Sequence, residues 1–499
     1  MKIKPKVRNA ATYFLPILIA LVFLAFTYSL FPFREKLQFN PDEGMNLMRS
    51  MLVVKGYPLY SEISSDQPPL FTHLLAILFR VVGFEVTPAR FLVLLFSTLM
   101  VWACAQFLQL AWGSWAAIFI LPLIIELPQY LVLSVSTMIG LPSIALAMVA
   151  LVLIVFWQRS QKSYWLVLSG FVFTLSLFIK LFTGFLIPIF LVGLTIPVYL
   201  ESRRTGLSWK MLRPALIWGL ACAGLGLVLG LILVGPQNIG QLISPHIAAK
   251  NSILSEEGST SINGHLILAI PILILGCLGV LFTVFRKNWL SFYLIAWAGL
   301  AYLSLSFYAP VWIHHQLLLT VPVAMLAAAV VGEGMHALTR IRRLADFLSL
   351  RTALGVALLI GFGLVTKNYI PVLDQQLMDS PRISGFLTTV QPWKMKIFEG
   401  MNKYVDRTNW IVTDMPIYAF LVNRPVPPIL GTFSLKRLST GSLTNSDIMQ
   451  AMQKYQPEQV LMGRFQIPEL DAYLKDHYTR ISHTDRLRLY IRNDLNPTP

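Results

Sequence analysis

Charge is scarce in this sequence, and negative charge scarcer still. Asp, Glu, Lys and Arg make up 13% of 499 residues, about half the roughly 25% of an ordinary soluble protein, which excludes a soluble globule. Cysteine is nearly missing. Cys104, Cys222 and Cys277 all lie inside apolar runs, with no CxxC and no metal-ligand spacing, so they read as small buried hydrophobes rather than a disulfide or metal framework. Low-complexity tracts and internal repeats are absent too, which excludes disordered and collagen-like chains. What remains is 56% hydrophobic with a mean hydropathy of +0.64. Long apolar runs alternate with short basic gaps, the pattern of a multi-span membrane protein. The net charge of +16 is largely the Lys and Arg of those gaps, and no nucleic-acid partner is expected.

Eleven runs read as spans: Ala11 to Phe31, Arg90 to Leu110, Ser114 to Leu127, Tyr130 to Trp157, Tyr164 to Ile179, Leu181 to Leu200, Leu212 to Val234, Leu266 to Phe285, Trp289 to Phe307, Gln316 to Val331 and Thr352 to Ile370. The first resembles a signal peptide but lacks a small-residue cleavage site, so it reads as an anchor with Lys2, Lys4, Lys6 and Arg8 inside. That parity puts the four clearest basic clusters, Arg159 to Lys162, Arg203 to Arg213, Arg286 to Lys287 and Arg340 to Arg351, on the cytoplasmic side. Phe33 to Pro88, Gly235 to Asn263, Tyr308 to His315 and the C-terminal tail then face outward. The parity requires Leu70 to Val82 to lie at the interface: its 13 residues fall short of the roughly 20 that cross a bilayer, and Pro68-Pro69 suits a helix start.

After Pro371 the composition turns soluble. Short strands are expected at Trp410 to Asp414, Gln459 to Met462 and Arg486 to Arg492, and helices at Trp393 to Asp406, Ser446 to Tyr455 and Pro468 to His477. The expected architecture is an α-helical polytopic membrane protein of the plasma (inner) membrane. A transmembrane module spans residues 1–370, and a small extracytoplasmic α/β domain spans residues 371–499.

The acids point to the chemistry. Of the 24 Asp and Glu, 12 follow Pro371 and five of the rest fall between Glu35 and Asp66. That first loop contains Asp42-Glu43, then Gly56-Tyr-Pro-Leu-Tyr60, then Asp66-Gln67-Pro68-Pro69-Leu70. Adjacent carboxylates beyond a span are also what a solvated loop provides. A second acid set in a loop rich in aromatics and aliphatics argues instead for packed carboxylates, which need a partner or a function.

This order and spacing resemble the polytopic glycosyltransferases of the GT-C fold that draw sugar from a polyprenyl-phosphate carrier, typified by protein O-mannosyltransferases and the aminoarabinose transferase of lipid A. The resemblance extends to the layout: about eleven spans, one catalytic loop at residues 33–88, and a soluble tail. It departs at Gln67, where several bacterial members have Lys, and at Met138-Ile-Gly140-Leu-Pro142, where many relatives carry an acid in a Met-x-Asp-x-Pro pattern. Glu126 stands at another expected outer helix end and is a substitute for that acid, or an interfacial residue.

The resemblance implies transfer of a sugar from a lipid-linked donor to a lipid, glycan or protein acceptor, with inversion. An acceptor hydroxyl or amine then needs a base, and Asp42 is the candidate. Glu43 would orient a neighbour of the base, help hold a divalent cation, or accept hydrogen bonds at the start of the next helix; no ligand spacing demands a metal. The departing phosphate needs positive charge. The candidates are Lys180, in an apolar setting where an intramembrane-edge lysine is a functional hypothesis or a snorkelling one, and His314 and His315, at the expected outer end of a span. His246 and Lys250, one helical turn apart, are further candidates, with Asp66 completing the set. Two rivals remain at this level: another lipid-linked glycan enzyme, such as a polymerase or ligase, which would place its charges in a large late loop, and a transporter, which would show matched broken helices.

Overall fold

A computed structural model describes residues 11–31, 33, 36–202, 211–250, 261–308, 310–340, 350–367, 392–483 and 487–495. Each of the eleven apolar runs contains an apolar helix. Among the described residues six helices are long and apolar enough to cross a membrane: Thr12–Leu30, Val86–Ala111, Gly140–Ser160, Arg213–Val234, Ile262–Phe285 and Ile313–Leu338. The remaining runs hold shorter helices, Ser114–Ile125, Tyr164–Ile179, Leu181–Ile196, Ser291–Ser306 and Thr352–Leu364. The chain is a polytopic helical membrane protein. Its central element is Leu317–Leu338, which is almost wholly buried among its neighbours. The basic residues 203–210 and 341–349, and the expected boundary at 370/371, lie outside the described residues.

One expected span is broken. Tyr130 to Trp157 divides into a single turn, Tyr130–Leu133, and the helix Gly140–Ser160. Between them Ser134, Ser136 and Thr137 are fully buried. Small hydroxyl side chains offer the backbone alternatives to helical bonding, and here the Ser134 hydroxyl donates to the Leu131 carbonyl at 2.6 Å while Thr137 turns toward the first loop. Apolar composition alone did not reveal that a polar loop interrupts the run.

The first loop folds into two helices. Pro41–Val54 begins at Asn40, whose side chain accepts from the Asp42 N–H at 3.0 Å; Pro41 occupies the first helical turn, and two acids there complement the free N–H groups. Leu70–Val82 follows Pro69 and stops at Gly83, at φ +82. Its 13 residues extend about 20 Å against roughly 30 Å of hydrocarbon. Phe71, Leu75 and Phe79 are buried, while Ile77 and Val81 stay exposed, as befits a helix lying along a membrane surface.

The C-terminal region carries a four-stranded sheet in the order β1-β2-β4-β3. β1 (Ile411–Thr413) and β2 (Gln459–Met462) are parallel, and β4 (Arg488–Arg492) runs antiparallel to both β2 and β3 (Tyr478–His483). Helices Pro392–Lys403, Asn445–Tyr455 and Pro468–His477 match the expected ones; β3 and the short helix Pro416–Leu421 were not expected. This region shares a core with the first loop. Leu47, Met48, Met51, Phe71 and Phe79 pack in one buried cluster with Ile411, Ile417, Tyr418 and Phe420. The contact is so close that a Cβ at Gly44 would lie 2.6 Å from the Ile417 backbone nitrogen, so only glycine fits there.

Candidate active site

The acid pair divides at once. Glu43 is wholly buried, and both its oxygens are occupied: Arg90 donates from Nε at 2.9 Å and Nη2 at 3.0 Å, the Phe39 N–H at 2.9 Å, and the Thr137 N–H and hydroxyl at 3.1 Å each. Arg90, equally buried, donates further to the carbonyls of Phe33, Lys36 and Leu37. An ion pair at this depth is tolerable because every remaining polar site on it is bonded. It ties the loop at residues 33–43, the helix Val86–Ala111 and the buried 134–139 loop together, which is why the apolar run breaks there. Burial opposes ionisation of Glu43, but Arg90 and the N–H donors outweigh it and hold its carboxyl below the usual value. Among the described residues no group of three or more His, Cys, Asp and Glu could hold a metal, and Glu43 has no oxygen free to join one.

Asp42 is the opposite case. Its side chain is half-buried, and no hydrogen bond to it is formed among the described residues. Burial raises its pKa, while Arg464, Lys180 and Arg49, in that order, pull it down and Asp66 pushes it up. Asp42 therefore faces positive charge from three separate segments without forming an ion pair. Arg49, one of the three, is buried and held by the Ser65 hydroxyl at 3.0 Å and by the Asn46 side chain, while Asn46 donates to the Thr137 carbonyl at 2.8 Å.

Lys180 sits where the helix Tyr164–Ile179 gives way to a 3₁₀ turn, in extended backbone at φ −156. Its ammonium lies 4.5 Å from the centre of the Phe182 ring, with no hydrogen-bond or ion-pair partner among the described residues. Burial lowers its pKa to about 8, with Asp42 and Asp66 opposing. The Phe182 ring meets both Tyr308 and His315 at 4.8 Å. His315 is buried and accepts from the Trp312 N–H, while His314 stacks edge-on against it at 4.5 Å. Close by, the Gln316 amide is buried with neither end bonded. Thus Lys180, His314 and His315, in distant parts of the sequence, are joined through the Phe182 ring.

Asp66 and His246 come together in an unexpected way. The Lys436 ammonium lies 2.6 Å from the Asp66 carboxylate and 3.2 Å from His246 Nδ1, which is also 3.2 Å from the Tyr308 hydroxyl. His246 Nε2 lies 3.1 Å from the Asp66 carbonyl. This network assigns the proton to Nε2 and leaves Nδ1 an acceptor; burial and Lys436 lower the His246 pKa, so it is a neutral link, not the basic group the sequence suggested. For Asp66 burial opposes ionisation, but Lys436 overrides it and holds the carboxyl at about 2. The Lys250 side chain lies outside the described residues. Glu126 is buried with both oxygens unbonded among the described residues.

Sequence reasoning missed Arg90, Lys436 and Arg464. Arg90 reads as the edge of a span, and an intramembrane arginine was the available signal; Lys436, which meets Asp66, and Arg464, whose charge acts on Asp42, lie hundreds of positions downstream, with no local mark.

The fold is that of a polytopic membrane protein similar to solved lipid-linked glycosyltransferases. Residues 66–228 match the family described as dolichyl-phosphate-mannose-protein mannosyltransferase, starting at Asp66. Among solved structures, ArnT from Cupriavidus metallidurans bound to undecaprenyl phosphate shares 14% identity over 97% of this chain and 98% of that one, with a TM-score of 0.59. The archaeal oligosaccharyltransferase AglB from Archaeoglobus fulgidus, in complex with an inhibitory peptide and a dolichol-phosphate, shares 12% identity over 98% of this chain and 75% of that one, with a TM-score of 0.55. No curated protein matches by sequence.

Proposed function

We propose that this protein is a membrane glycosyltransferase that moves a sugar from a polyprenyl-phosphate carrier to an acceptor at the extracytoplasmic face, with inversion and with Asp42 as general base. The observation that carries this reading is the contrast around Asp42: neighbouring Glu43 and Asp66 are bound to cations, whereas the Asp42 carboxylate accepts no hydrogen bond among the described residues and feels positive charge from Arg464 and Lys180. The acceptor oxygen or nitrogen bonds to the anomeric carbon, the bond from that carbon to phosphate oxygen breaks, and the acceptor's proton passes to Asp42. The lipid phosphate leaves as an anion toward Lys180, with His314 and His315 next to it through the Phe182 ring. Positive charge fixed before the reaction stabilises the leaving group without reorganisation.

Glu43 is assigned a positioning role, through the Arg90 pair that fixes the start of the Asp42 helix. The topology has the N-terminus in the cytoplasm and the sheet region outside. Undecaprenyl phosphate and dolichol-phosphate in the similar structures support a lipid-phosphate donor. Mass spectrometry of lipid that copurifies with the full chain tests this. A polyprenyl phosphate or its glycosylated form is expected; absence of both, with no binding of added undecaprenyl phosphate, would overturn the donor.

A further inference from the structure

The helix Tyr164–Ile179 stops at Lys180, and the chain continues as a 3₁₀ turn over Leu181–Leu186. A break inside an apolar bundle frees backbone groups that no water satisfies, so it persists only where the protein supplies their partners. Three hydroxyls supply them here. Ser143, Ser176 and Thr183 come from the helix Gly140–Ser160, the end of Tyr164–Ile179 and the 3₁₀ turn, and all three are buried. The Ser176 hydroxyl donates to the Ser143 carbonyl at 2.7 Å. The Ser143 hydroxyl donates in return to the Ser176 carbonyl at 3.0 Å, the same carbonyl that accepts the Lys180 N–H at 3.0 Å. Thr183 Oγ1 lies 2.9 Å from Ser176 Oγ and 3.4 Å from Ser143 Oγ. The Lys180 carbonyl, beyond the last helical residue, lies 3.3 Å from Ser143 Oγ and 3.4 Å from Thr183 Oγ1.

A hydroxyl inside an apolar helix commonly bonds back to its own preceding turn, as Ser97 does to Val93. Ser143 and Ser176 bond instead across to each other's helix, at the level of the break. The elements that carry the hydroxyls also reach the ammonium. One turn before Ser143 stands Gly140, where a Cβ would lie 3.9 Å from Lys180 Nζ, so one stretch of that helix meets the lysine at both its carbonyl and its charge. Thr183 follows Phe182, whose ring lies 4.5 Å from the ammonium and meets Tyr308 and His315.

We infer that Ser143, Ser176 and Thr183 are positioning residues that hold the helix break at Lys180 and so aim its ammonium at the departing lipid phosphate. This rests on the reading of Lys180 as the group that receives that phosphate. Lysine carries its charge on a flexible four-carbon stem, and a preorganised site needs that charge in place before the substrate arrives. A carboxylate partner would fix the ammonium but compete with phosphate for it. The hydroxyls act on the backbone of Lys180 instead, at its N–H through the shared Ser176 carbonyl and at its own carbonyl, and leave the charge unpaired.

The test uses the full chain in nanodiscs, with undecaprenyl phosphate titrated by calorimetry. Thr183→Val keeps the shape of the side chain and removes its hydroxyl. It should weaken undecaprenyl phosphate about three- to tenfold, the net loss of one hydrogen bond expressed as a binding ratio; Ser143→Ala should fall in the same range, and Thr183→Ser should bind within about twofold of wild type. In the Lys180→Gln background Thr183→Val should change the affinity by less than about twofold, because the residue it acts through is gone. Wild-type binding by Thr183→Val, or an equal loss with and without Lys180, would overturn the positioning role; the second result is what a hydroxyl that merely stabilises the bundle gives. A second measurement separates this reading from that of the donor site: the rate at which an amine-reactive ester acylates Lys180, read by mass spectrometry of its peptide. Thr183→Val should change that rate at least about threefold and Thr183→Ser should not. If Lys180→Gln binds undecaprenyl phosphate as wild type does while acylation still responds to Thr183→Val, the donor-phosphate reading falls and the positioning of Lys180 stands. Acylation that ignores Thr183→Val would remove the positioning role whatever the lipid does.

Discussion

Asp42 and Glu43 are neighbours in one helical turn, yet one is bare and the other saturated. Glu43 points into the protein, where Arg90, Phe39 and Thr137 supply five donor contacts. Asp42 is half-buried; several cations act on it and none among the described residues bonds to it. Adjacent helical positions diverge by about 100°, since a turn holds 3.6 residues, so a single Asp-Glu pair serves two faces: one is bonded to the Arg90 pair and the other is left without a side-chain partner among the described residues. Burial alone does not make a catalytic carboxylate. An unsatisfied one beside fixed positive charge is the better mark.

The comparison breaks most sharply under isosteric neutralisation. Asp42→Asn should fold and bind undecaprenyl phosphate as wild type does, while transfer falls by about 10² to 10⁴, the usual share of general base catalysis. Transfer within a few-fold of wild type in membranes of matched expression would remove Asp42 from the mechanism. Glu43→Gln should behave the other way. It leaves Arg90 buried without its counter-charge, a loss of about 3 to 5 kcal/mol, and should appear as a lowered melting temperature and poor yield; an undiminished melting transition would show that the pair does not hold the loop.

Much of this layout is legible in the sequence because it is written in local patterns. Apolar length locates the helices, and the acid pair and Pro68-Pro69 mark the loop helices. The period of Pro468 to His477 predicts its helix to the residue. The buried 134–139 loop was hidden because Val135, Met138 and Ile139 keep the run apolar, and its polar groups matter only through Glu43, 94 positions from Thr137. β3 reads poorly because Thr479, Arg480, Ser482 and His483 dominate it, and it exists through pairing with β4. Lys436 meets Asp66 across 370 positions. Such meetings are set by the shared core of the first loop and the sheet region, which no local period encodes.

A smaller change sharpens the contrast from the lysine side. Gly140 occupies the position where relatives in the resembled family carry an acid, and a Cβ built there would lie 3.9 Å from the Lys180 ammonium, with no other atom within 4 Å. Gly140→Asp therefore fits without collision and gives Lys180 a partner, as Asp66 has in Lys436. Undecaprenyl phosphate should then bind about tenfold more weakly, because the cation is already paired. Equal or tighter binding would mean that Lys180 does not hold the phosphate.

The subtlest test leaves the maximal rate nearly intact and reads only its pH dependence. Burial raises the Asp42 pKa from its ordinary value, and a base works only when ionised, so kcat/KM should fall as pH drops through that raised value. Burial lowers the Lys180 pKa to about 8; a phosphate-binding lysine works only when protonated, so kcat/KM should fall again as pH rises through about 8. The profile for the free enzyme is thus a bell. Lys180→Arg keeps the positive charge, and arginine stays protonated throughout this range, so the alkaline limb should move upward by a unit or more. The acid limb, which belongs to Asp42, should barely move. Arg differs in shape from Lys, and a few-fold drop in the maximum is expected on that account. An alkaline limb still near 8 in Lys180→Arg would assign it to another group and return Lys180 to a headgroup-facing role, whereas movement of that limb alone would show that the cleft divides its work between a carboxylate that must lose its proton and an ammonium that must keep one.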